Sequence, residues 1–113
     1  MKDLTEFEIK KINYLIFAIR TKTLLCNIES VSKSGMTRKL SFLTIAGGQV
    51  WRFNDLFQID GYRLDKNYNV IVTGCGMDMV WNTVYTMAYK LNQMGFITDE
   101  DLPKLSQSSA IVI

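Results

Sequence analysis

Two short stretches of this chain combine residue types that hold anions. The first, the basic loop from Ser32 to Lys39, follows Glu29 and Ser30 and is dense in hydroxyl and cationic side chains. Hydroxyl groups, backbone N–H groups and the cations of Arg and Lys are the usual partners of phosphates and carboxylates. The basic loop therefore predicts an anion or nucleic-acid site, with a solvated connection between two strands as the alternative.

The second stretch is a glycine-bracketed turn, Gly74-Cys75-Gly76, which leads into a predicted helix capped by Asp78. Free N–H groups and the positive end of the helix dipole attract anions at such a position. Its spacing matches neither a dinucleotide fingerprint nor a P-loop, and an Asp78 N-cap would use the same donors. Tight strand-to-helix packing is therefore the alternative reason for the glycines. The predicted anion-binding residues of the two stretches are Ser32, Lys33, Ser34, Gly35, Thr37, Arg38, Gly74, Gly76 and Asp78.

The composition excludes several kinds of catalysis. The 113 residues include no histidine, which removes Ser-His-Asp and Cys-His mechanisms and nearly all zinc sites. Cys75 at the helix start therefore has no histidine to act as its base. Asp60, Asp65 and Asp78 do not follow the spacing of a metal-binding loop. We therefore predict no catalytic residue, no metal and no cofactor, with an enzyme acting on a nucleotide as the third alternative.

Charge and hydropathy indicate one globular domain over residues 1–113. The net charge is +2, 48% of residues are hydrophobic and 21% are charged, which is ordinary for such a domain. The sequence lacks the apolar run of roughly 18 residues that a membrane span needs. It also lacks a recognisable signal peptide, so we expect a cytoplasmic protein with reduced Cys26 and Cys75.

The elements that position these stretches can be read from periodicity. Thr5 and Glu8 form a capping box before a helix that should end near residues 21–23. Apolar residues at helical spacing place Ile9, Ile12, Ile16 and Ile19 on one face of it, with Leu15 alongside. Strands are predicted over 24–28, 38–45 and 49–53, with a hairpin at Gly47-Gly48 and a short helix from Asn54 to Gly61.

A buried strand and the longest helix follow. Val70 to Val72 form a β-branched run, and the helix after Asp78 should end at Gly95 in a left-handed C′ position. Its predicted core stripe consists of Val80, Val84, Met87 and Leu91, widened by Trp81 and Ala88. Tyr62 and Tyr89 are the aromatic residues most expected to be exposed.

The element order α-β-β-β-α-β-α predicts an α+β fold, a mostly antiparallel sheet of about four strands packed by two main helices. Residues 97–113 are predicted to be a C-terminal extension, with one helical turn near Thr98 to Pro103. If the strand from Arg38 pairs beside Val70–Thr73, both anion-binding stretches lie at one end of the sheet. The apolar Ala110–Ile113 segment can add to its own sheet or to a neighbour's, and the second option gives a homodimer.

Two motifs resemble a family of small phage and prophage proteins. They are Ser32-Lys-Ser-Gly-Met-Thr-Arg38 and Gly74-Cys-Gly-Met-Asp-Met-Val-Trp81, with Tyr85 on the helix, and the resemblance covers roughly residues 27–93. The long first helix and residues 98–113 depart from it. The resemblance assigns no catalytic roles, but it implies a compact protein made during infection, where such proteins often bind and disable a host factor.

Two functions follow as expectations. The first is a non-enzymatic inhibitor of a host defence system, which blocks a nuclease effector or sequesters a nucleotide signal. The second is a nucleic-acid-binding module that uses the basic loop, with Lys33, Arg38 and Lys39 as phosphate contacts.

Overall fold

A computed structural model describes residues 3–34, 36–56, 63–74 and 76–113, with only the backbone of Gly76 and Met77. The elements in chain order are α1 (Glu6–Thr21), β1 (Leu25–Ser30), β2 (Thr37–Ala46), β3 (Gln49–Arg52), β4 (Arg63–Leu64), β5 (Val70–Thr73), α2 (Gly76–Gln93), α3 (Leu102–Ser106) and β6 (Ile111–Val112). The α+β class is confirmed. Two strands beyond the four expected, β4 and β6, have two residues each.

The capping box predicted for the first helix is present. The Glu8 N–H donates to Thr5 Oγ1 over 3.1 Å, and the Thr5 N–H donates to Glu8 Oε1 over 3.2 Å. The helix ends at Thr21, as expected, because Lys22 adopts a left-handed φ of 59°. Of the four isoleucines predicted to share one face, Ile12, Ile16 and Ile19 are buried, whereas Ile9 is 39% exposed. At 100° per residue Ile9 lies at the edge of the buried stripe, beyond Ile12 and Ile16.

Strand β2 is the centre of the sheet. The strand order is β4-β5-β2-β1-β6, and β3 also pairs with β2. Along one edge of β2, residues 38–43 pair antiparallel with the whole of β1. The other edge is shared, because residues 37–40 pair with β5 and residues 43–46 pair with β3.

A buried asparagine fills the gap between β5 and β3. The Phe42 N–H donates to Asn54 Oδ1 over 2.7 Å, and Asn54 Nδ2 donates to the Leu40 carbonyl over 3.0 Å. The Asn54 side chain thus makes the hydrogen bonds that a neighbouring strand would make to β2 at this point. The prediction that Asn54 caps a helix is wrong for this reason, and residues 54–56 form a turn and a bend. The rest of that predicted helix, and Tyr62, lie outside the described residues.

All helices described pack on one face of the sheet. The inward strand residues Cys26, Leu40, Phe42, Val70 and Val72 share a single buried cluster with the apolar faces of α1 and α2. Ile97, Leu105 and Ala110 belong to the same cluster, so residues 97–113 add to the core. The opposite face of the sheet carries polar side chains such as Asn27, Lys39 and Ser41 together with apolar ones such as Leu43 and Ile71, and no helix covers it in the described part of the chain.

The core stripe of α2 is confirmed except at one position. Val80, Val84, Met87, Ala88 and Leu91 are buried, whereas Trp81 is 42% exposed. Thr83 is buried on the other side of the stripe, which rotates Trp81 away from the sheet. The helix ends as predicted, because Gly95 has a φ of +84° and the Phe96 N–H donates to the Leu91 carbonyl over 2.9 Å.

The tail adds to its own sheet. β6 runs parallel to β1, with the Ile111 N–H donating to the Leu24 carbonyl over 2.8 Å and the Ile113 N–H donating to the Cys26 carbonyl over 2.9 Å. Of the two alternatives for Ala110–Ile113, the structure therefore shows pairing within the chain. The Gly47-Gly48 hairpin is also confirmed, since both glycines take the positive φ that a tight hairpin turn requires.

Candidate functional site

The two predicted anion-binding stretches meet at one end of the sheet. Thr37 pairs with Thr73 across β2 and β5, and the Gly74 N–H donates to the Met36 carbonyl over 3.0 Å. The expectation that they are neighbours is therefore confirmed. Gly35 and Cys75 lie outside the described residues.

The two serine hydroxyl groups of the basic loop form hydrogen bonds within the loop itself. Ser32 Oγ accepts a hydrogen bond from the Thr37 N–H over 3.2 Å, and Ser34 Oγ accepts one from the Met36 N–H over 3.3 Å. The two serine hydroxyls also lie 3.2 Å apart. These bonds use the backbone donors that an anion would need, so the serines shape the loop.

The three cations near the loop have different surroundings. Lys33 is exposed to solvent, whereas Arg38 is half-buried on the helix side and already has an interaction partner. Lys39 Nζ lies 3.0 Å from Glu29 Oε2 on the open side of the sheet. The loop therefore presents fewer available cations than its composition suggests.

The helix start also differs from the prediction. Gly74 takes a φ of +116°, a conformation that side-chain-bearing residues rarely adopt, so glycine is required there by the turn. Asp78 lies within the first turn of α2 and is exposed, so it is not the N-cap. Its carboxylate still places negative charge beside the helix start, which disfavours an anion there.

An exposed aromatic ladder runs along α2. Trp81, Tyr85 and Tyr89 follow one another at four-residue spacing, with ring centroids 5.6 Å and 5.0 Å apart. They are 42%, 37% and 44% exposed. A hydrogen bond with Tyr89 raises the pKa of the Tyr85 phenol above its ordinary value. The exposure of Tyr89 was predicted, whereas the ladder was not.

Two adjoining depressions mark the open face of the sheet. The larger, of about 490 Å³, is lined by Ser41, Arg52, Asn54, Asp55, Lys66, Asn67, Tyr68 and Asn69. The smaller, of about 230 Å³, is lined by Asn27, Glu29, Lys39, Ser41, Arg52 and Asn69. Because Ser41, Arg52 and Asn69 border both, the depressions form one polar groove across the sheet, which we call the sheet-face groove.

A tightly bonded turn forms one wall of this groove. Asp65 Oδ1 accepts hydrogen bonds from the N–H groups of Asn67 and Asn69 at 2.8 and 3.0 Å, and Asp65 Oδ2 accepts from Asn69 Nδ2 at 3.1 Å. The Asn69 side-chain bond is the main reason that the pKa of Asp65 lies below its usual value. The turn holds Tyr68 at a φ of +61°, and the residue is 48% exposed. A bulky residue rarely adopts this conformation.

Sequence reasoning missed the groove because its residues are far apart along the chain. Asn27 faces Ser41 across β1 and β2, and Arg52 faces Leu43 across β2 and β3. Only the register of strands β1, β2 and β3 brings these groove residues together on one face of the sheet. The alternation of polar with apolar residues in 25–30 and 37–42 was the available signal for a solvated sheet face.

The described residues offer little for catalysis. The Cys26 thiol is fully buried, and burial raises its pKa to about 12, so it stays protonated at neutral pH. In the described part of the chain, no group of three Cys, Asp or Glu side chains converges as a metal site requires. The arrangement is suited to binding through aromatic, amide and cationic groups.

Comparison with known proteins assigns no function to these surfaces. No family model, curated protein or solved structure matches the chain. Among the helices of the described residues, none is both long and apolar enough to cross a membrane.

Proposed function

We propose that this chain is a non-enzymatic inhibitor of the phage type, which binds a host defence protein in the host cytoplasm and blocks it. The observation that carries the proposal is the aromatic ladder of α2. Its three rings are exposed on a helix whose opposite side packs fully into the core. The phage-type motifs suggest the biological setting, and the ladder suggests the contact surface.

The ladder has the chemistry of an interface rather than of a structural element. Trp and Tyr dominate the residues that carry binding energy in protein interfaces, and truncating one at the centre of an interface costs about 2 kcal/mol or more. Neighbouring rings in contact with one another form a continuous apolar strip, which a protein on its own rarely exposes. Covering this strip would remove it from water.

The geometry of the ladder favours a protein target over a small signalling molecule. An α-helix rises 1.5 Å per residue, so successive rings are about 6 Å apart along the axis and the ladder spans about 12 Å. Anchors at i, i+4 and i+8 on one helix fit a hydrophobic groove of a partner protein. A long, shallow strip does not enclose a nucleotide. Of the two modes of inhibition, we therefore favour blocking of a nuclease effector over sequestration of a nucleotide signal.

A plating experiment tests the proposal. The protein is expressed in bacterial hosts that carry defence systems with nuclease effectors, and the efficiency of plating of a restricted phage is measured. We expect the wild-type protein to raise plating by at least one order of magnitude on a sensitive host. Trp81→Ala, Tyr85→Ala and Tyr89→Ala should each lose most of this effect, because each removes one anchor.

Gln93→Ala provides the matched control, since Gln93 is an exposed polar residue of the same helix. Circular dichroism and thermal melting establish that every variant is folded. The purified protein is then mixed with the nuclease whose defence it overcomes, and cleavage is followed directly. If the ladder variants restore plating as well as the wild-type protein does, the ladder is not the inhibitory surface.

The alternative, nucleic-acid binding through the basic loop, has less support. The serine hydroxyls of the loop are bonded to its own backbone, and Lys39 is paired with Glu29. Lys33→Ala tests this alternative, because Lys33 is an exposed cation of the loop. A loop that binds nucleic acid should lose affinity and part of its salt dependence in this variant.

A further inference from the structure

We propose that the sheet-face groove binds a nucleotide unit, either free or within a single strand, with Tyr68 stacking on the base and Arg52 and Lys66 contacting phosphate. This site is separate from the aromatic ladder, which belongs to the helix layer on the other side of the sheet. The proposal therefore does not depend on the inhibitory function. It also uses none of the residues of the basic loop except Lys39 at its end.

Charge in the groove favours an anionic ligand. Its acids are already engaged, since Glu29 lies 3.0 Å from Lys39 and Asp55 lies 2.8 Å from Lys11. The neighbouring Asp65 carboxylate accepts three hydrogen bonds from its own turn. Arg52 and Lys66, both exposed, have no acidic partner among the described residues. Two cations with their charge uncompensated therefore border one groove, which is the arrangement that phosphate requires.

Tyr68 supplies a stacking surface in a fixed position. Its backbone is held at a φ of +61° by the hydrogen bonds of the Asp65 turn, and the residue is half exposed at the wall of the groove. Tyrosine in this conformation is strained, and such strain persists where the surrounding structure enforces it. Asn would occupy the same backbone conformation with less strain. The aromatic ring is therefore what Tyr offers at this position and Asn does not.

Amide groups give the groove the means to recognise a base edge. Asn27 and Asn67 are exposed, and their side-chain amides make no hydrogen bond within the described part of the chain. Such amides offer both a donor and an acceptor to a base. Exposed bases of single strands are commonly stacked on an aromatic ring and bonded at their edges in this way. The volume of the larger depression, about 490 Å³, also falls within the range of small-ligand sites.

Fluorescence anisotropy with a labelled oligouridine of about ten nucleotides tests the site at low salt, and calorimetry with uridine and adenosine monophosphates tests free nucleotides. We expect binding of at least one class of probe. Tyr68→Asn should weaken it roughly tenfold, since the stacking contact with one base is lost. Tyr68→Phe should retain it, because the ring remains. Tyr68→Asn should also melt no lower than the wild-type protein, since it relieves backbone strain.

Arg52→Gln should weaken binding and reduce its salt dependence, because one phosphate contact is lost. Lys104 is an exposed cation on α3, so Lys104→Gln is the matched control and should leave the affinity for the probe unchanged. Competition by monophosphates identifies a site for a free nucleotide, whereas binding of oligouridine alone identifies a single-strand site. The proposal is overturned if no probe binds, if duplex DNA binds as well as a single strand, or if Tyr68→Asn and Arg52→Gln behave like Lys104→Gln. None of these outcomes changes the plating result expected for the aromatic ladder.

Discussion

Asn54 completes the central strand by a side chain instead of a backbone. Its amide bonds both the Phe42 N–H and the Leu40 carbonyl in a buried position where water cannot replace it. Leaving a buried backbone donor or acceptor unpaired costs about 1–3 kcal/mol. A single polar residue therefore determines whether β2 can bridge the gap between β5 and β3.

Replacement of Asn54 by alanine should reduce the free energy of unfolding by roughly 2–4 kcal/mol, since two backbone groups lose their partners. Urea unfolding followed by fluorescence measures this difference. Asn67→Ala is the control, because Asn67 is exposed and only its backbone N–H is bonded. A loss for Asn54→Ala no larger than that for Asn67→Ala would mean that the sheet repairs the gap without the side chain.

Cys26 makes stability depend on pH in the alkaline range. The pKa of its thiol is about 9.0 in the unfolded chain, and burial, which opposes the thiolate, raises it to about 12 in the folded protein. Between these values the unfolded chain releases a proton that the folded chain keeps. The free energy of unfolding is therefore unaffected by this thiol below the unfolded-state pKa, and it falls as pH rises from that pKa toward the folded-state pKa.

Comparison with Cys26→Ala isolates this effect from the titration of lysines and tyrosines. Between about pH 9 and about pH 12, the wild-type protein should lose up to about 1.4 kcal/mol more per pH unit than the variant. Urea unfolding at a series of alkaline pH values gives both curves. Parallel curves would show that the folded protein accommodates the thiolate as well as water does.

At the scale of elements, sequence reasoning succeeded where one local rule decided the outcome. The Thr5–Glu8 capping box, the Gly47-Gly48 hairpin and the Gly95 helix end each need only a few neighbouring residues. Trp81 was misplaced because hydropathy favours burial, whereas the packing of Thr83 against the core set the rotation of the helix. Tertiary contacts thus overrode residue type.

The candidate sites show the same division between local and long-range information. The expectation that the two glycine-containing stretches are neighbours depended on pairing of the Arg38 strand with Val70–Thr73, and the structure has this pairing. The sheet-face groove was not predicted from the sequence, because it depends on the register of strands that are distant along the chain. The role of Asn54 was also hidden, since nothing local shows that β2 has an unpaired gap.

Strand β6 offers an internal comparison of hydrogen-bonded and unbonded positions. The Ile111 and Ile113 N–H groups bond carbonyls on the β1 side, so the Val112 N–H between them faces away from β1, toward the outer edge of the sheet. Ile111→Pro should therefore cost about 1 kcal/mol more in stability than Val112→Pro, because only the former removes a ladder bond. Thermal melting of the two variants measures the difference. Equal melting temperatures would show that β6 contributes through its side chains alone.

At the scale of the whole molecule, one buried cluster joins both main helices, the sheet and the C-terminal residues. Such a domain should unfold in a single cooperative transition. The two proposed binding surfaces lie on different layers of this unit, the aromatic ladder on the helices and the groove on the bare sheet face. Mutations in one should therefore leave the other intact and should be additive in their effects on stability.

The shared edge of β2 has a consequence for amide hydrogen exchange. The Phe42 N–H is bonded to a buried side chain in the middle of the sheet, so it can exchange with solvent only when the whole domain opens. The Ile113 N–H is bonded at the sheet edge, so detachment of β6 is enough to release it. Deuterium exchange followed by NMR should give Phe42 a protection free energy equal to that of global unfolding and Ile113 a much smaller one. Equal protection at the two positions would mean that the edge strand and the central strand open together.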